Sequence, residues 1–230
     1  MAVTLRWSPN SWFELVGPDV VVQIDPAIPP NAPYELDGEP SPADLVLVTH
    51  HHPDHCDRAM IDRVAAPGAP VFAPRRAAET LGGRAEVVEV GDVFDAVGVH
   101  VEVVAAYNTE DGSSTNKSHI LGEGVGYVVT VGDLNIYHAG DTDLIPEMAY
   151  LDEIDVALLP IGGTFTMDAA EAAHAALLID PGIAIPMHPR DTNPEEFRAL
   201  LDDSGIEAVV LTADEELDVE LDLSEQTDAV

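Results

Sequence analysis

The 230-residue sequence has one cysteine, Cys56, and one lysine, Lys117. A lone cysteine rules out an internal disulfide framework. Long apolar runs are missing too. Nothing approaches the roughly 18 consecutive apolar residues of a membrane-spanning helix, and residues 1–6 lack the charged and apolar segments of a signal peptide. The expectation from these absences is a soluble, cytoplasmic protein with no membrane partner. Positive charge is scarce: nine basic residues stand against 43 acidic ones, for a formal net charge of −34. Such a field repels nucleic acid, so none is expected as a partner. The acids run along a chain rich in alanine and valine and are not gathered in one tail. That composition suits molar salt, where the screening length falls to about 3 Å. A hydrophobic fraction of 46% is enough for a sizeable core, in one large or two small domains.

Strands are expected at residues 3–7, 12–16 and 20–24, followed by a Pro-rich surface loop over 26–42 that sustains neither helix nor central strand. Residues 45–49 are a continuous apolar run of the kind buried on both faces. Residues 58–64 have helical spacing, ended by Pro67-Gly68. The rhythm repeats with strand 71–73, helix 75–81 stopped by Gly82-Gly83, strands 87–90 and 99–105, and a hairpin of 126–131 and 134–137 turned at Gly132-Asp133. A buried strand at 156–160 precedes a helix whose start, Asp168 with Glu171, resembles a capping box. Strand 183–187, helix 195–203 and strand 208–211 complete the pattern, and the acidic stretch after Asp214 reads as a solvated edge strand or frayed tail. Two halves emerge, each passing from hairpins to strand–helix units with no disordered linker between them. Residues 1–230 therefore read as a single αβ/βα sandwich domain.

The densest chemistry lies directly after the apolar run 45–49, in His50-His51-His52-Pro53-Asp54-His55. Imidazole and carboxylate are ligands for zinc and its first-row neighbours. Side chains alternate along an extended strand, so His50 and His52 share a side and His51 points away. Pro53 turns the chain, which places Asp54 and His55 at the N-terminus of the following helix, where the dipole favours a carboxylate. One ion can draw on His50 and His52 and a second on Asp54 and His55, each with ligands still to come from elsewhere. The remaining candidates are His119 before Gly122-Glu123-Gly124, His138 and Asp141 in Tyr137-His138-Ala139-Gly140-Asp141-Thr142, and His188 at the end of Ile185-Pro186-Met187. Strand ends are where α/β folds build sites.

Taken in order, T-H-x-H-x-D-H, a lone His, G-D-T after a strand and P-M-H after another resemble the metallo-β-lactamase-fold hydrolase superfamily, from Ile24-Asp25-Pro26 to His188. Y-H-A-G-D-T-D, I-G-G-T-F-T-M and I-P-M-H are similar to the branch related to ascorbate-6-phosphate lactonase, and N-acylphosphatidylethanolamine-type phospholipases D share parts of the pattern. With the acidic composition, the expected source is a halophilic archaeon. The resemblance implies a four-layer αβ/βα sandwich of two mixed β-sheets flanked by helices, with two divalent metal ions, zinc first and manganese or iron as alternatives. It gives His50, His52 and His119 to one ion, Asp54, His55 and His188 to the other, and Asp141 to both, with bridging solvent as nucleophile and Asp54 as the group that orients it or takes its proton. His119 is preferred to the Tyr107-Asn108 position because it lies just before a G-x-G-x-G-Y segment. Asp25 and His138 resemble residues that orient ligands. Lys117 and Arg190, each close in sequence to a proposed ligand, would contact an anionic substrate. Residues 161–167 would line the pocket. His51, His100 and His174 read as ordinary residues and Cys56 as a small buried hydrophobe on the helix.

The function implied is metal-dependent hydrolysis of an ester, lactone or phosphodiester bond in a small molecule, by a monomer or a homo-oligomer. The alternatives are an iron-dependent redox enzyme, a nuclease, and a non-catalytic metal-binding protein. Redox relatives of this fold usually add a flavin-binding domain, a nuclease wants a basic stripe, and structural zinc sites close with four ligands, often cysteines.

Overall fold

A computed structural model describes residues 2–30, 34, 36 and 38–220. The first sheet holds β1 (Val3–Trp7), β2 (Phe13–Val16), β3 (Val21–Ile24), β4 (Leu45–Leu47), β5 (Val71–Pro74) and β6 (Glu86–Val88), with β14 (Glu216–Val219) returning to pair with β1. The second holds β7 (Val93–Ala96), β8 (Val99–Ala106), β9 (Gly124–Val131), β10 (Leu134–His138), β11 (Val156–Pro160), β12 (Ile183–Met187) and β13 (Glu207–Ala208). Each sheet is antiparallel on the hairpin side and parallel on the strand–helix side: β3 to β6 run parallel, as do β10 to β13. The two halves legible in the sequence are these two mixed sheets.

The sheets pack face to face with helices outside. Strand β4 shows the layering residue by residue. Leu45 and Leu47 face the inter-sheet core with Phe13, Leu15, Val101 and Val129, while Val46 and Val48 face the outer cluster with Met60, Ile61 and Val64. Helices α1 (Arg58–Val64) and α2 (Arg75–Thr80) supply that outer layer, and α3 (Ala169–Ile179) and α4 (Pro194–Leu201) bury Ala172, Ala176, Phe197 and Leu201 over the second sheet. Among the described residues no helix is long and apolar enough to cross a membrane.

Several local expectations change. Strand β7 is absent from the sequence reading because Val93-Phe94-Asp95-Ala96 alternates between exposed and half-buried positions at a sheet edge. A 3-10 helix at Pro146–Tyr150 was likewise unforeseen. The last parallel strand shrinks to two residues, Glu207–Ala208. Helix α1 starts at Arg58 with Asp57 as its cap, accepting from the backbone N–H of Ala59 and Met60. Asp54 and His55 therefore lie in the turn before it, not at its N-terminus, and Cys56 precedes the helix as well. Asp168 caps α3 as expected, but the Glu171 carboxylate accepts from Ser113 N and Oγ instead of folding back to the cap. The Pro-rich loop carries no helix or strand at its described positions, and residues 31–33, 35 and 37 and the tail 221–230 lie outside the described residues.

Candidate metal centre

The site forms at one edge of the sandwich, where strands of both sheets end. Residues after β3, β4, β8, β10 and β12 supply Asp25, His50 to His55, His119, Asp141 and His188. Among the described residues, four of the eight non-glycine residues with positive φ are found here: Asn10, Asp25, His188 and Arg190. Such conformations cost about 1–3 kcal/mol each and persist only where the surroundings over-determine them. The glycine of the G-D-T run is required for a related reason. At Gly140 φ is +64°, and a Cβ would stand 2.7 Å from the Val125 carbonyl oxygen.

Three imidazole nitrogens converge first. His52 Nδ1 lies 3.0 Å from His50 Nε2 and 3.2 Å from His119 Nε2. Their neighbours settle where the protons are. Thr49 Oγ1 donates to Asp25 Oδ2 at 2.6 Å, so it accepts from His50 Nδ1 at 3.0 Å. His119 Nδ1 donates to the Phe165 carbonyl at 3.0 Å. The Nε2 atoms of His50 and His119 therefore carry lone pairs, aimed at the same point as His52 Nδ1. Burial, followed by repulsion from neighbouring imidazoles, holds His50 well below its ordinary range and His52 down to about 4, so both are neutral near pH 7. Bonds of about 2.0–2.1 Å to a tetrahedral zinc place ligand nitrogens about 3.4 Å apart, close to the separations found.

The second group has the opposite electrostatics. Asp54 Oδ2 lies 3.8 Å from His55 Nε2 and 3.6 Å from His188 Nε2. Burial alone would depress the His55 pKa, but Asp141, Asp25 and Asp54 outweigh it and raise it to about 9. Burial alone would raise Asp54, yet His188 and His55 hold it well below the usual carboxylate range. This group demands positive charge. Asp141 stands between the two, 3.4 Å from His119 Nε2 and 3.9 Å from His50 Nε2 on one side, and 3.5 Å from both His55 Nε2 and His188 Nε2 on the other. Its Oδ1 is buried with no hydrogen-bond partner. Lone pairs without protons, an orphaned buried carboxylate oxygen and an all-nitrogen-and-oxygen donor set fit two divalent cations. Cys56 offers no thiolate: its Sγ faces the Ala77 carbonyl at 3.9 Å and burial pushes its pKa up to about 12.

The supporting residues divide by what they touch. The fully buried Asp25 carboxylate accepts from Thr49 N at 2.7 Å, Thr49 Oγ1 at 2.6 Å and His55 Nδ1 at 2.7 Å. Although Asp25, His50 and His55 cluster closely enough to suggest a third metal group, Asp25 already accepts three hydrogen bonds, one of them from the His55 nitrogen that faces it. It fixes His55 so that Nε2 faces the site. His138 donates from Nε2 to the Ser11 carbonyl at 2.9 Å and accepts from Gly140 N–H at 3.2 Å, so it holds the backbone leading into Asp141. His51 is half-buried and does not line the cavity, while His100 and His174 are off the site, His100 paired with Asp95.

Two contributors escaped the sequence reading. Asn10 Nδ2 donates to Asp54 O at 3.2 Å and Asp54 Oδ2 at 3.4 Å and sits 3.3 Å from His55 Nε2. Asn108 clamps His119 through both backbone groups: its N–H donates to His119 O at 2.8 Å, its Oδ1 accepts from His119 N–H at 2.8 Å, and its Nδ2 donates to the Phe165 carbonyl. Only the resemblance, which singled out Tyr107-Asn108 as a rival ligand position, offered any pointer to it. Lys117 turns away from the cavity. Its ammonium donates to Gly112 O, Ser114 Oγ and Asp143 Oδ2 at 2.7, 2.9 and 3.0 Å, tying the loop before His119 to buried Asp143, and it does not line the cavity. Arg190 does. The cavity over the two groups, about 790 Å³, is walled by Asn10, His52, Asp54, His119, Asp141, Phe165, His188 and Arg190, and Pro29, Pro30, Pro53 and Asp191 also line it.

Residues 4–188 match the beta-lactamase superfamily domain. The chain is 38% identical over 211 residues to a UPF0173 metal-dependent hydrolase of Thermococcus kodakarensis, covering 86% of this chain and 92% of the relative. Among solved structures, a metal-dependent hydrolase of Parabacteroides distasonis superposes with a TM-score of 0.82 at 33% identity, over 90% of this chain and 92% of that one. A metallo hydrolase of the archaeon Ignicoccus hospitalis superposes with a TM-score of 0.79 at 29% identity, over 96% and 100%. The chain belongs to the UPF0173 family of metal-dependent hydrolases within the metallo-β-lactamase superfamily.

Proposed function

We propose that the chain, a single domain over 1–230, hydrolyses an ester, lactone or phosphodiester bond in a small molecule at a two-metal centre. His50, His52 and His119 would hold one ion, Asp54, His55 and His188 the other, and Asp141 both. Zinc is the first expectation, with manganese or iron suited to the same donors. One observation carries the reading: Asp141 lies within 3.4–3.9 Å of a ligand nitrogen of each group while one of its oxygens goes unbonded. Two such cations would act as Lewis acids and lower the pKa of an attacking water toward 7. The rest falls to the chain. Asp54, ionised and lining the cavity, accepts a proton from the attacking water. Asn10 Nδ2 steadies Asp54, and Asp25 and Asn108 fix His55 and His119. The water oxygen bonds to carbon or phosphorus, the ester oxygen leaves, and the proton held by Asp54 passes to it, releasing an acid and an alcohol.

The lactone option rests on the resemblance to the ascorbate-6-phosphate lactonase branch. The net charge of −34 supports adaptation to molar salt; thermal stability that is highest at low KCl would contradict that. A panel of lactones, phosphodiesters and thioesters, with Asp54→Ala as control, tests the activity. Turnover of one class that is abolished by the substitution is expected, and turnover that survives it would refute the mechanism.

A further inference from the structure

The chain has nine basic side chains against 43 acidic ones. Eight of the nine are ion-paired: Arg6, Arg58, Arg63, Arg75, Arg76, Arg84, Lys117 and Arg198. Arg190 is the ninth, and among the described residues no carboxylate pairs with it, although Asp191 follows it in the chain. Its guanidinium lies over the Phe165 ring, 5.0 Å from the centroid, in the wall of the cavity that holds the metal groups.

That placement is built. Both His188 and Arg190 adopt left-handed backbone conformations, with φ of +50° and +49°, and both side chains reach the same cavity. The stem of Arg190 packs against Gly162: a Cβ there would stand 3.2 Å from Arg190 Cδ and 2.8 Å from the His188 carbonyl oxygen. The Arg190 Cζ lies over the Phe165 ring, and among the described residues no group accepts a hydrogen bond from the guanidinium, so its fork of N–H donors is available to take an oxyanion through two parallel hydrogen bonds. Phe165 also links this cation to the metal side, because its carbonyl accepts from His119 Nδ1 at 3.0 Å and Asn108 Nδ2 at 2.8 Å. The distance from the guanidinium to the first imidazole group is thus set through one residue. In a field this negative, an anionic ligand needs such a local cation.

We propose that Arg190 is the specificity-determining residue of this site, and that its substrate carries a carboxylate or phosphate bound edge-on by the guanidinium while the scissile bond lies over the histidines. This rests on the hydrolytic reading above. It is tested with 4-nitrophenyl butyrate, mono-4-nitrophenyl succinate and the 4-nitrophenyl ester of 3-phosphonopropanoate, three esters that differ in their far end. The metal-loaded full chain and its Arg190→Gln, Arg190→Lys and Arg198→Gln forms are compared at one KCl concentration. In the native chain kcat/KM favours a charged ester over the neutral one, and whether carboxylate or phosphonate is preferred identifies the anion. Arg190→Gln lowers that charged-to-neutral ratio about 10- to 100-fold, the worth of hydrogen bonds to a charged group. Arg190→Lys lowers it less, and Arg198→Gln, which removes the same charge elsewhere, leaves it alone. A ratio unmoved by Arg190→Gln overturns the proposal.

Calorimetric binding of succinate and inorganic phosphate decides independently of turnover. Weaker binding to the Arg190→Gln form supports the assignment even if no ester is cleaved, an outcome that would count against hydrolysis and not against Arg190. Equal binding to both forms, or no binding of either anion to the native chain, overturns it.

Discussion

Replacing Asp25 with asparagine removes one charge and little else, because asparagine accepts the left-handed backbone found there, φ +50°. Asp25 Oδ2 receives Thr49 Oγ1–H at 2.6 Å and His55 Nδ1–H at 2.7 Å, while Oδ1 receives Thr49 N–H at 2.7 Å. An amide nitrogen in the Oδ2 position meets two donors; turned over, it meets the Thr49 N–H. At least one fully buried donor is orphaned either way, a cost of about 1–3 kcal/mol. In the neutral form that binds metal, His55 is also freed to keep its one proton on Nε2, the nitrogen facing Asp54 and Asp141, instead of on Nδ1. Losing such an outer partner typically weakens a metal site about 10- to 100-fold. Zinc titration against a chromophoric chelator should therefore show one of two affinities weakened by that factor, together with an unfolding free energy lowered by about 2 kcal/mol in the chelator-stripped chain. Two affinities within about twofold of the native values would refute the role given to Asp25.

Three further outcomes follow from particular side chains. The folded pKa of His55, about 9, exceeds its ordinary value of 6.5, so its contribution to the stability of chelator-stripped protein is complete below pH 6.5 and disappears as pH rises through 9. Denaturant melts should register on the order of 3 kcal/mol across that window, and zinc should abolish the dependence by displacing the proton. Lys117→Met removes the ammonium beside buried Asp143 and leaves its carboxylate only the Thr109 and Ser114 donors, lowering stability by about 1–3 kcal/mol without altering selectivity between charged and neutral esters. Cys56, buried and with its pKa near 12, should resist an aromatic disulfide reagent at pH 8 until the chain is unfolded.

The fold was legible where burial is one-sided or complete. Leu45 to Val48 alternate between two cores, Gly132-Asp133 turns the β9–β10 hairpin, and Asp168 caps α3. Legibility failed at edges, where the exposed and half-buried residues of β7 give no clean pattern, and at the start of α1, where Asp57 and not Asp54 makes the capping bonds. The candidate ligands were readable because four of them fall within six residues, Asp141 and His188 closely follow apolar strands, and His119 precedes a G-x-G-x-G-Y segment. Asn10 and Asn108 were not, since their roles depend on a left-handed turn and on a loop excursion to Phe165 that no local pattern encodes. Nearness to His119 in sequence does not carry Lys117 to the cavity wall. Its carboxylate partner lies 26 residues away.

The central claim is that two ions share Asp141. Crystals grown with zinc and measured at the zinc edge should give two anomalous peaks per chain. One should lie about 2.0–2.2 Å from His50 Nε2, His52 Nδ1 and His119 Nε2, and the other at similar distances from Asp54, His55 Nε2 and His188 Nε2, with the Asp141 carboxylate touching both. A single peak, or two peaks that leave Asp141 unbound, would contradict the account.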